Sequence, residues 1–170
     1  MKILLLSVIV VLVDQVSKLS VKYFLVYNKP YKIIDDYVRL TYIENPGMAF
    51  GIKVGGQLFF TIFASLATIV IFIYIVRSRK EKLALRMSLA LILGGAVGNL
   101  IDRLVYGKVI DFIEVGFHNV YWPIFNIADS AVTIGMVILI TLVLFDKNLK
   151  KSENENQFQP KEHSYTETSK

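Results

Sequence analysis

The sequence predicts an all-α membrane fold of four transmembrane helices, with a small β element that forms an extracytoplasmic hairpin or cradle. Of the 170 residues, 54% are hydrophobic, against roughly 45–50% in soluble domains. The excess lies in long apolar blocks, and a helix of about 20 apolar residues crosses about 30 Å of hydrocarbon. Both observations indicate a membrane solvent for a single domain of this length.

Four blocks qualify as spans, and the apolar run of the first is interrupted at Asp14 and Lys18. A polar tail without apolar periodicity follows the last block and is predicted to be disordered and cytoplasmic. The predicted membrane domain is therefore 1–146 and the tail 147–170. The predicted spans are residues 3–26, 57–76, 83–104 and 124–145.

The first block has an alternative interpretation as a secretory signal peptide, because Lys2 precedes an apolar run of suitable length. No A-x-A-like cleavage site follows Val13, and apolar residues continue beyond the charged interruption. Asp14 and Lys18 are spaced i,i+4, which places them on one face of a continuing helix. A retained helix is favoured.

Basic residues predict the orientation of the spans. Nine Lys and Arg crowd the short flanks on one side, whereas six are spread over the two longer loops on the other. Both termini are therefore predicted to be cytoplasmic, and loops 27–56 and 103–123 extracytoplasmic. The nine residues are Lys2, Arg77, Arg79, Lys80, Lys82, Arg86, Lys147, Lys150 and Lys151.

The first long loop carries the predicted β element. Val38, Leu40 and Tyr42 alternate with polar residues, and an Asn-Pro-Gly turn follows at 45–47. Residues 48–52 are predicted to return as the second strand of a hairpin outside the bilayer.

Composition excludes several classes of site. The chain has no cysteine, so disulfides and thiolate chemistry are excluded, and its only histidines are His118 and His163. No metal site or cofactor is therefore expected. The net charge of +5 comes from residues that flank apolar segments, which favours juxtamembrane charge over nucleic-acid binding.

Polar residues inside spans are costly and mark functional sites by default. With the predicted topology, those of this chain gather near the outer membrane face. Helical spacing places Asn99 with Arg103 on one face and Asn126 with Asp129 on another. Glycines before Asn99 favour close helix packing. The set is Asp14, Lys18, Asn99, Asp102, Arg103, Asn126 and Asp129, and Asp111 follows span three in the second outer loop.

Two carboxylates brought together in such a site share one proton, which leaves one group as base and the other as acid. The base can activate water to attack a peptide carbonyl, and the acid can protonate the departing nitrogen. Residue types and spacing alone do not choose Asp111 and Asp129 over Asp14 or Asp102.

Simpler structural roles compete for several of these residues. Asp14 and Lys18 are interpreted as an ion pair that orients the first span. Asp102 is expected to face away from the cluster. Arg103 either snorkels to the interface or contacts a carboxylate or the substrate. Asn99 either forms a structural hydrogen bond between helices or has a role in the functional site. Asp129 can be an acid at a helix start, where the helix dipole favours negative charge.

Three other functions fit parts of the pattern. A transporter predicts acids throughout the membrane depth, whereas these lie near one face. A structural protein needs no polar cluster. An intramembrane serine protease needs a Ser-His pair, and the predicted spans contain no histidine.

Five ordered blocks resemble the signatures of lipoprotein signal peptidases, and together they cover the chain from the first span into the fourth. Several blocks in one order are far more specific than any single block. They are DQVSK (14–18), ENPGMAFG (44–51), GAVGNLIDR (95–103), VIDF (109–112) and FNIADS (125–130).

The resemblance implies an aspartyl endopeptidase in the bacterial cytoplasmic (inner) membrane, and a monomer is expected. It implies removal of signal peptides from prolipoproteins, with cleavage before a diacylglyceryl-modified cysteine, and inhibition by globomycin-type antibiotics. Asp111 and Asp129 match the catalytic pair. The supporting or substrate-binding positions are Asp14, Lys18, Asn45, Gly47, Asn99, Arg103, Asn126 and Ala128.

Overall fold

Four helices and a four-stranded sheet make up the described part of the chain in the computed structural model. The structure describes residues 2–35, 37–47, 56–117 and 120–157, with side chains described for all of these except 56, 57 and 146–157. In chain order the elements are α1 (Leu4–Phe24), β1 (Tyr31–Ile34), β2 (Val38–Asn45), α2 (Gly56–Arg77), α3 (Leu83–Tyr106), β3 (Val109–Phe117), β4 (Val120–Tyr121) and α4 (Ile127–Gln157).

All four helices are long and apolar enough to cross a membrane, which confirms the four predicted spans. The end of α4 differs from the prediction. Residues 147–157 are helical rather than disordered, so the helix passes the predicted boundary at 146. Lys, Glu and Gln recur in this segment and are good helix formers, and the segment extends a helix already nucleated by the apolar span. Residues 158–170 lie outside the described part of the chain.

Helix α1 buries two charged residues and exposes much of its apolar surface. Its buried positions are spaced three or four apart and include Asp14 and Lys18. Leu5, Leu12 and Val16 are each more than half exposed on the outer face. Lipid solvates such apolar side chains, whereas buried charges require partners within the bundle. The buried positions are Ser7, Val10, Asp14, Lys18 and Val21.

Helix α3 is the central helix of the bundle and packs against α1, α2 and α4. Two glycines permit the closest approaches. A Cβ at Gly95 would collide with the backbone oxygen of Ala128 on α4, and one at Gly98 would lie 2.6 Å from Asp14 Oδ2 on α1. Small residues therefore let three helix backbones converge beside Asn99.

The β element is a four-stranded antiparallel sheet in the order β1-β2-β3-β4. The small β element is confirmed, but the predicted strand partners were incomplete. Strand β2 pairs with β1 in its own loop and with β3 from the second loop, where no strand was predicted. Residues 48–52, predicted as the returning strand, lie outside the described residues.

The sheet is attached to the end of the helix bundle by a buried apolar cluster. Val21 near the end of α1 packs with Tyr42 of β2 and with Ile110 and Phe112 of β3. Gly107 follows the last residue of α3, and its left-handed backbone (φ 73°) turns the chain directly into β3. Both features hold β3 against the ends of α1 and α3.

Candidate active site

The first turn of α4 fixes Asp129 through a reciprocal cap. Asn126 precedes the helix, and its Oδ1 accepts the backbone N–H of Asp129 at 2.8 Å. Asp129 Oδ2 in turn accepts the backbone N–H of Asn126 at 3.2 Å. Such a pair satisfies two N–H groups that a helix start otherwise leaves unbonded. Asp129 thus serves as the helix-start acid while its Oδ1 bonds to another helix.

Strand β3 carries Asp111, which is 2% exposed. Its Oδ1 accepts a hydrogen bond from Asn126 Nδ2 at 2.7 Å, and its Oδ2 accepts one from Asn45 Nδ2 at 3.0 Å. Asp111 pairs with Ile43 in the register of β2 and β3. Asn45 is two residues further along β2, hence on the same face of the sheet. Pairing between the two loops therefore brings Asn45 to Asp111.

Asn126 connects the two carboxylates. Its side-chain amide donates to Asp111, and its backbone N–H donates to Asp129. The same amide also donates to the Ile110 carbonyl at 3.2 Å and to Asn99 Oδ1 at 3.1 Å. Asn126 is 0% exposed, so this bridge is shielded from solvent.

Asn99 on α3 extends the network to Asp129 and Lys18. Its Nδ2 donates to Asp129 Oδ1 at 2.8 Å, and its Oδ1 accepts Lys18 Nζ at 2.9 Å. Of the two alternatives for Asn99, the structure therefore shows the bond between helices, and one partner of that bond is a candidate catalytic carboxylate.

Lys18 forms two buried ion pairs, with Asp14 at 2.8 Å and with Asp102 at 2.9 Å. The predicted Asp14–Lys18 ion pair is confirmed. The expectation that Asp102 faces away from the cluster is wrong, because Asp102 is 0% exposed and bonded to Lys18. Asp102 is one helical turn from Gly98, which lets α1 approach closely enough for Lys18 to reach it.

The other predicted positions lie around this network. Gly47 donates its N–H to Asn45 Oδ1 at 3.0 Å and has φ +105°, where glycine is strongly favoured. Ala128 is fully buried on α4. Arg103 donates to the Asn99 carbonyl at 3.3 Å, and its positive charge acts on the nearby aspartates. A contact of Arg103 with substrate stays a prediction.

One participant was not singled out by its sequence. Gln15 Nε2 donates to Asp102 Oδ1 at 2.9 Å and to the Gly98 carbonyl at 3.1 Å, and lies 3.2 Å from Asp14 Oδ2. Its position next to Asp14, at the charged interruption of an apolar block, was the available signal.

Burial and the neighbouring Asp129 carboxylate raise the pKa of Asp111 to about 6, even though the amides of Asn45 and Asn126 favour its ionised form. The folded carboxyl thus keeps its proton to higher pH than an unfolded one, which ionises near about 3.9. The free energy of unfolding therefore falls as the pH rises from about 3.9 to about 6, because the unfolded carboxyl loses its proton first.

Asp129→Asn is expected to lower the pKa of Asp111, because one nearby negative charge is removed. Carboxyl ¹³C NMR with aspartate labelling measures this, and Asp111→Asn identifies the resonance. Asp35→Asn is the control, since Asp35 is exposed in the β1–β2 turn and its removal should not change the titration. Titration of Asp111 near pH 4 in the unmodified protein would contradict the burial argument.

A cleft of about 460 Å³ opens beside Asp129. Apolar and aromatic side chains dominate its walls, which follow the outer face of the first turns of α4. A second cavity, of about 520 Å³, lies between α1, α2 and α3 and has only hydroxyls among its polar side chains, so it lacks the groups for hydrolysis. The cleft beside Asp129 is lined by Trp122, Phe125, Asp129, Ser130, Thr133 and Ile134.

The arrangement suits acid–base chemistry. Within the part of the chain that the structure describes, no three His, Cys, Asp or Glu side chains are grouped so as to hold a metal ion. Independence from metals stays a prediction. The carboxyl groups of Asp111 and Asp129 are bridged by hydrogen bonds from Asn126, and Asp129 lies beside an open cleft. Such a pair can hold a shared proton and activate water.

Comparison with known proteins identifies the family of this chain. A family model described as signal peptidase (SPase) II matches residues 6–145. The lipoprotein signal peptidase of Syntrophus aciditrophicus is 39% identical over 149 residues, which are 85% of this chain and 92% of that protein. The lipoprotein signal peptidase of Syntrophomonas wolfei is 43% identical over 138 residues, covering 81% and 89% of the two chains.

A solved bacterial membrane enzyme, determined by the in meso method at 2.3 Å resolution, has the same fold with a TM-score of 0.76. It is 35% identical, and the match covers 88% of this chain and 91% of that one. The family match spans nearly the whole membrane domain and includes every candidate site residue. The chain therefore belongs to the signal peptidase II family of membrane peptidases.

Proposed function

We propose that this chain removes the signal peptide from prolipoproteins by cleaving before a diacylglyceryl-modified cysteine, with Asp111 and Asp129 as the catalytic pair. The ionised carboxylate takes a proton from a water molecule as the water attacks the scissile carbonyl. The protonated partner gives its proton to the departing nitrogen. The observation that carries the proposal is the Asn126 bridge between the two carboxyl groups.

The raised pKa of Asp111 supports a shared proton. A carboxyl with a pKa of about 6 retains a proton where an ordinary aspartate has lost it, so one acid and one base coexist over a wider pH range. The pair titrates as a unit, and either aspartate can hold the proton.

Aromatic side chains support a position of the site at the membrane surface. Tyr23 at the end of α1, Tyr106 at the end of α3 and Trp122 before α4 are exposed. All three lie at the end of the bundle that carries the sheet, and such aromatics collect at membrane–water interfaces. A scissile bond beside Asp129 would then lie near the bilayer surface, within reach of a peptide that enters the apolar cleft from the lipid.

The function is tested with purified protein and a precursor peptide that carries a diacylglyceryl-modified cysteine. We expect cleavage before that cysteine, and at least tenfold slower cleavage of the same peptide with unmodified cysteine. The reason is that the acyl chains add binding free energy, at about 0.8 kcal/mol for each CH₂ that is completely buried. The rate should be the same in EDTA. Equal turnover of both peptides would contradict the substrate assignment, and EDTA inhibition reversed by zinc would contradict the aspartyl mechanism.

The proposed location is the cytoplasmic membrane, with both termini cytoplasmic and the sheet outside. Single cysteines can report it cleanly because the chain has none of its own. A membrane-impermeant thiol reagent applied to intact cells should label Asp35→Cys and leave Lys80→Cys and Lys150→Cys unlabelled. Strong labelling at 80 or 150, with none at 35, would reverse the topology.

Inhibition by globomycin-type antibiotics and a monomeric state remain part of the proposal.

A further inference from the structure

The residues immediately before the two proposed catalytic aspartates are each held by another carboxylate. Asp14 Oδ1 on α1 accepts the backbone N–H of Ala128 at 2.9 Å. Asp102 Oδ2 on α3 accepts the backbone N–H of Ile110 at 3.0 Å. Both acceptors are 0% exposed. One holds the start of α4 and the other holds β3, which are the two elements that carry the pair.

Lys18 joins these two anchors. Its Nζ lies 2.8 Å from Asp14 Oδ2 and 2.9 Å from Asp102 Oδ2. Its third contact is Asn99 Oδ1 at 2.9 Å, so the three N–H donors of the ammonium group match three acceptors. Because lysine has no acceptor, the Asn99 amide must turn its oxygen to Lys18 and its nitrogen to Asp129.

From these contacts we infer that Lys18, Asp14 and Asp102 form a positioning clamp that sets the separation and orientation of Asp111 and Asp129. The inference rests on the proposed function, since it takes those two residues as the catalytic pair. The clamp residues act through backbone N–H groups and through Asn99, and none is assigned a contact with substrate.

The construction of the clamp argues for more than packing. A buried ionic cluster is a poor way to gain stability, because apolar residues of similar volume often serve as well or better. Here both ion pairs end on a carboxylate that holds the residue before a proposed catalytic aspartate, and the two carboxylates come from two different helices. A shift of about 1 Å in such a pair can slow a reaction by about 100-fold.

The test is Asp102→Asn, followed as kcat and KM separately. Both oxygens of Asp102 accept from donors, Lys18 and Ile110 on one side and Gln15 on the other. An asparagine amide would therefore oppose a donor in either orientation. We expect kcat to fall about ten- to 100-fold and KM to stay within about twofold, because the substrate cleft is unchanged. An unchanged kcat would overturn the clamp.

Ser7→Ala is the matched control. Ser7 donates to the Ala90 carbonyl at 2.8 Å, so it also removes a buried contact between α1 and α3, but away from the catalytic pair. It should lower thermal stability and leave kcat unchanged. An equal fall of kcat in Ser7→Ala and Asp102→Asn would show general loosening of the bundle and overturn the clamp.

Gln15→Leu is the second test of the clamp, for use if Asp102→Asn fails to accumulate in the membrane. It keeps every charge and removes the donor to Asp102 Oδ1. A severalfold fall in kcat at unchanged KM supports the clamp, and an unchanged kcat overturns it. Cleavage at the wild-type rate by Asp111→Asn and Asp129→Asn would instead overturn the catalytic pair, so the two failures are distinguishable.

Discussion

Replacement of Asp111 or Asp129 by asparagine is expected to lower the cleavage rate by about 10³- to 10⁴-fold. Asparagine has nearly the same shape but neither accepts nor gives up the proton that the reaction transfers. Each substitution also places an NH₂ group among existing donors. At position 111 those donors are the amides of Asn45 and Asn126.

These neighbours cannot simply reverse their amides. Asn126 Oδ1 is held by the Asp129 N–H, and Asn45 Oδ1 by the Gly47 N–H. Near position 129, Asn99 is held in its orientation by Lys18. We therefore expect some loss of thermal stability in both variants, together with normal membrane insertion.

Initial rates on the lipid-modified precursor, normalised to folded protein, measure the effect. Asp35→Asn is the matched control, because it is the same change at an exposed position of the β1–β2 turn and should leave the rate unchanged. A rate near that of the wild type in either active-site variant would remove that residue from the catalytic pair.

The second large effect is expected at Asn126, where two substitutions separate its two roles. Asn126→Ala removes both the helix cap and the amide that donates to Asp111. Asn126→Ser keeps a hydroxyl that can cap the Asp129 N–H and loses the amide donor. Both variants should cleave about 100-fold more slowly, because Asp111 loses its shorter hydrogen bond, of 2.7 Å.

Only the alanine variant should lose the cap, at a cost of about 1 kcal/mol of stability. Thermal unfolding in detergent, measured beside the cleavage rate, distinguishes the two roles. Full activity in Asn126→Ser would mean that the bridge to Asp111 is dispensable. Equal stability of the two variants would contradict the capping role.

Local sequence was sufficient to predict the helices and to single out most residues of the candidate site. A span of about 20 apolar residues forms a helix in lipid wherever it occurs, because every backbone group must be satisfied within the segment. The same rule makes residues such as Asp14, Lys18 and Asn99 conspicuous, since a polar group inside a span requires a partner. The resemblance to signature blocks then selected Asp111 and Asp129.

Strand pairing between the two outer loops was decided by tertiary structure. Residues 38–45 and 109–117 pair although α2 and α3 separate them in the sequence. Nothing in either segment specifies the other as its partner. The first loop suggested a local hairpin because a turn signal follows its alternating residues. The register that places Asn45 beside Asp111 exists only once α1 and α3 bring the loops together.

The orientation of Asp102 illustrates the same limit. From sequence, its neighbour Arg103 shares a helix face with Asn99, which suggested that Asp102 pointed elsewhere. In the fold, α3 is surrounded by α1, α2 and α4, so more than one of its faces is internal. Periodicity along one helix determines which residues share a face, whereas the partner that each face meets depends on how several helices pack.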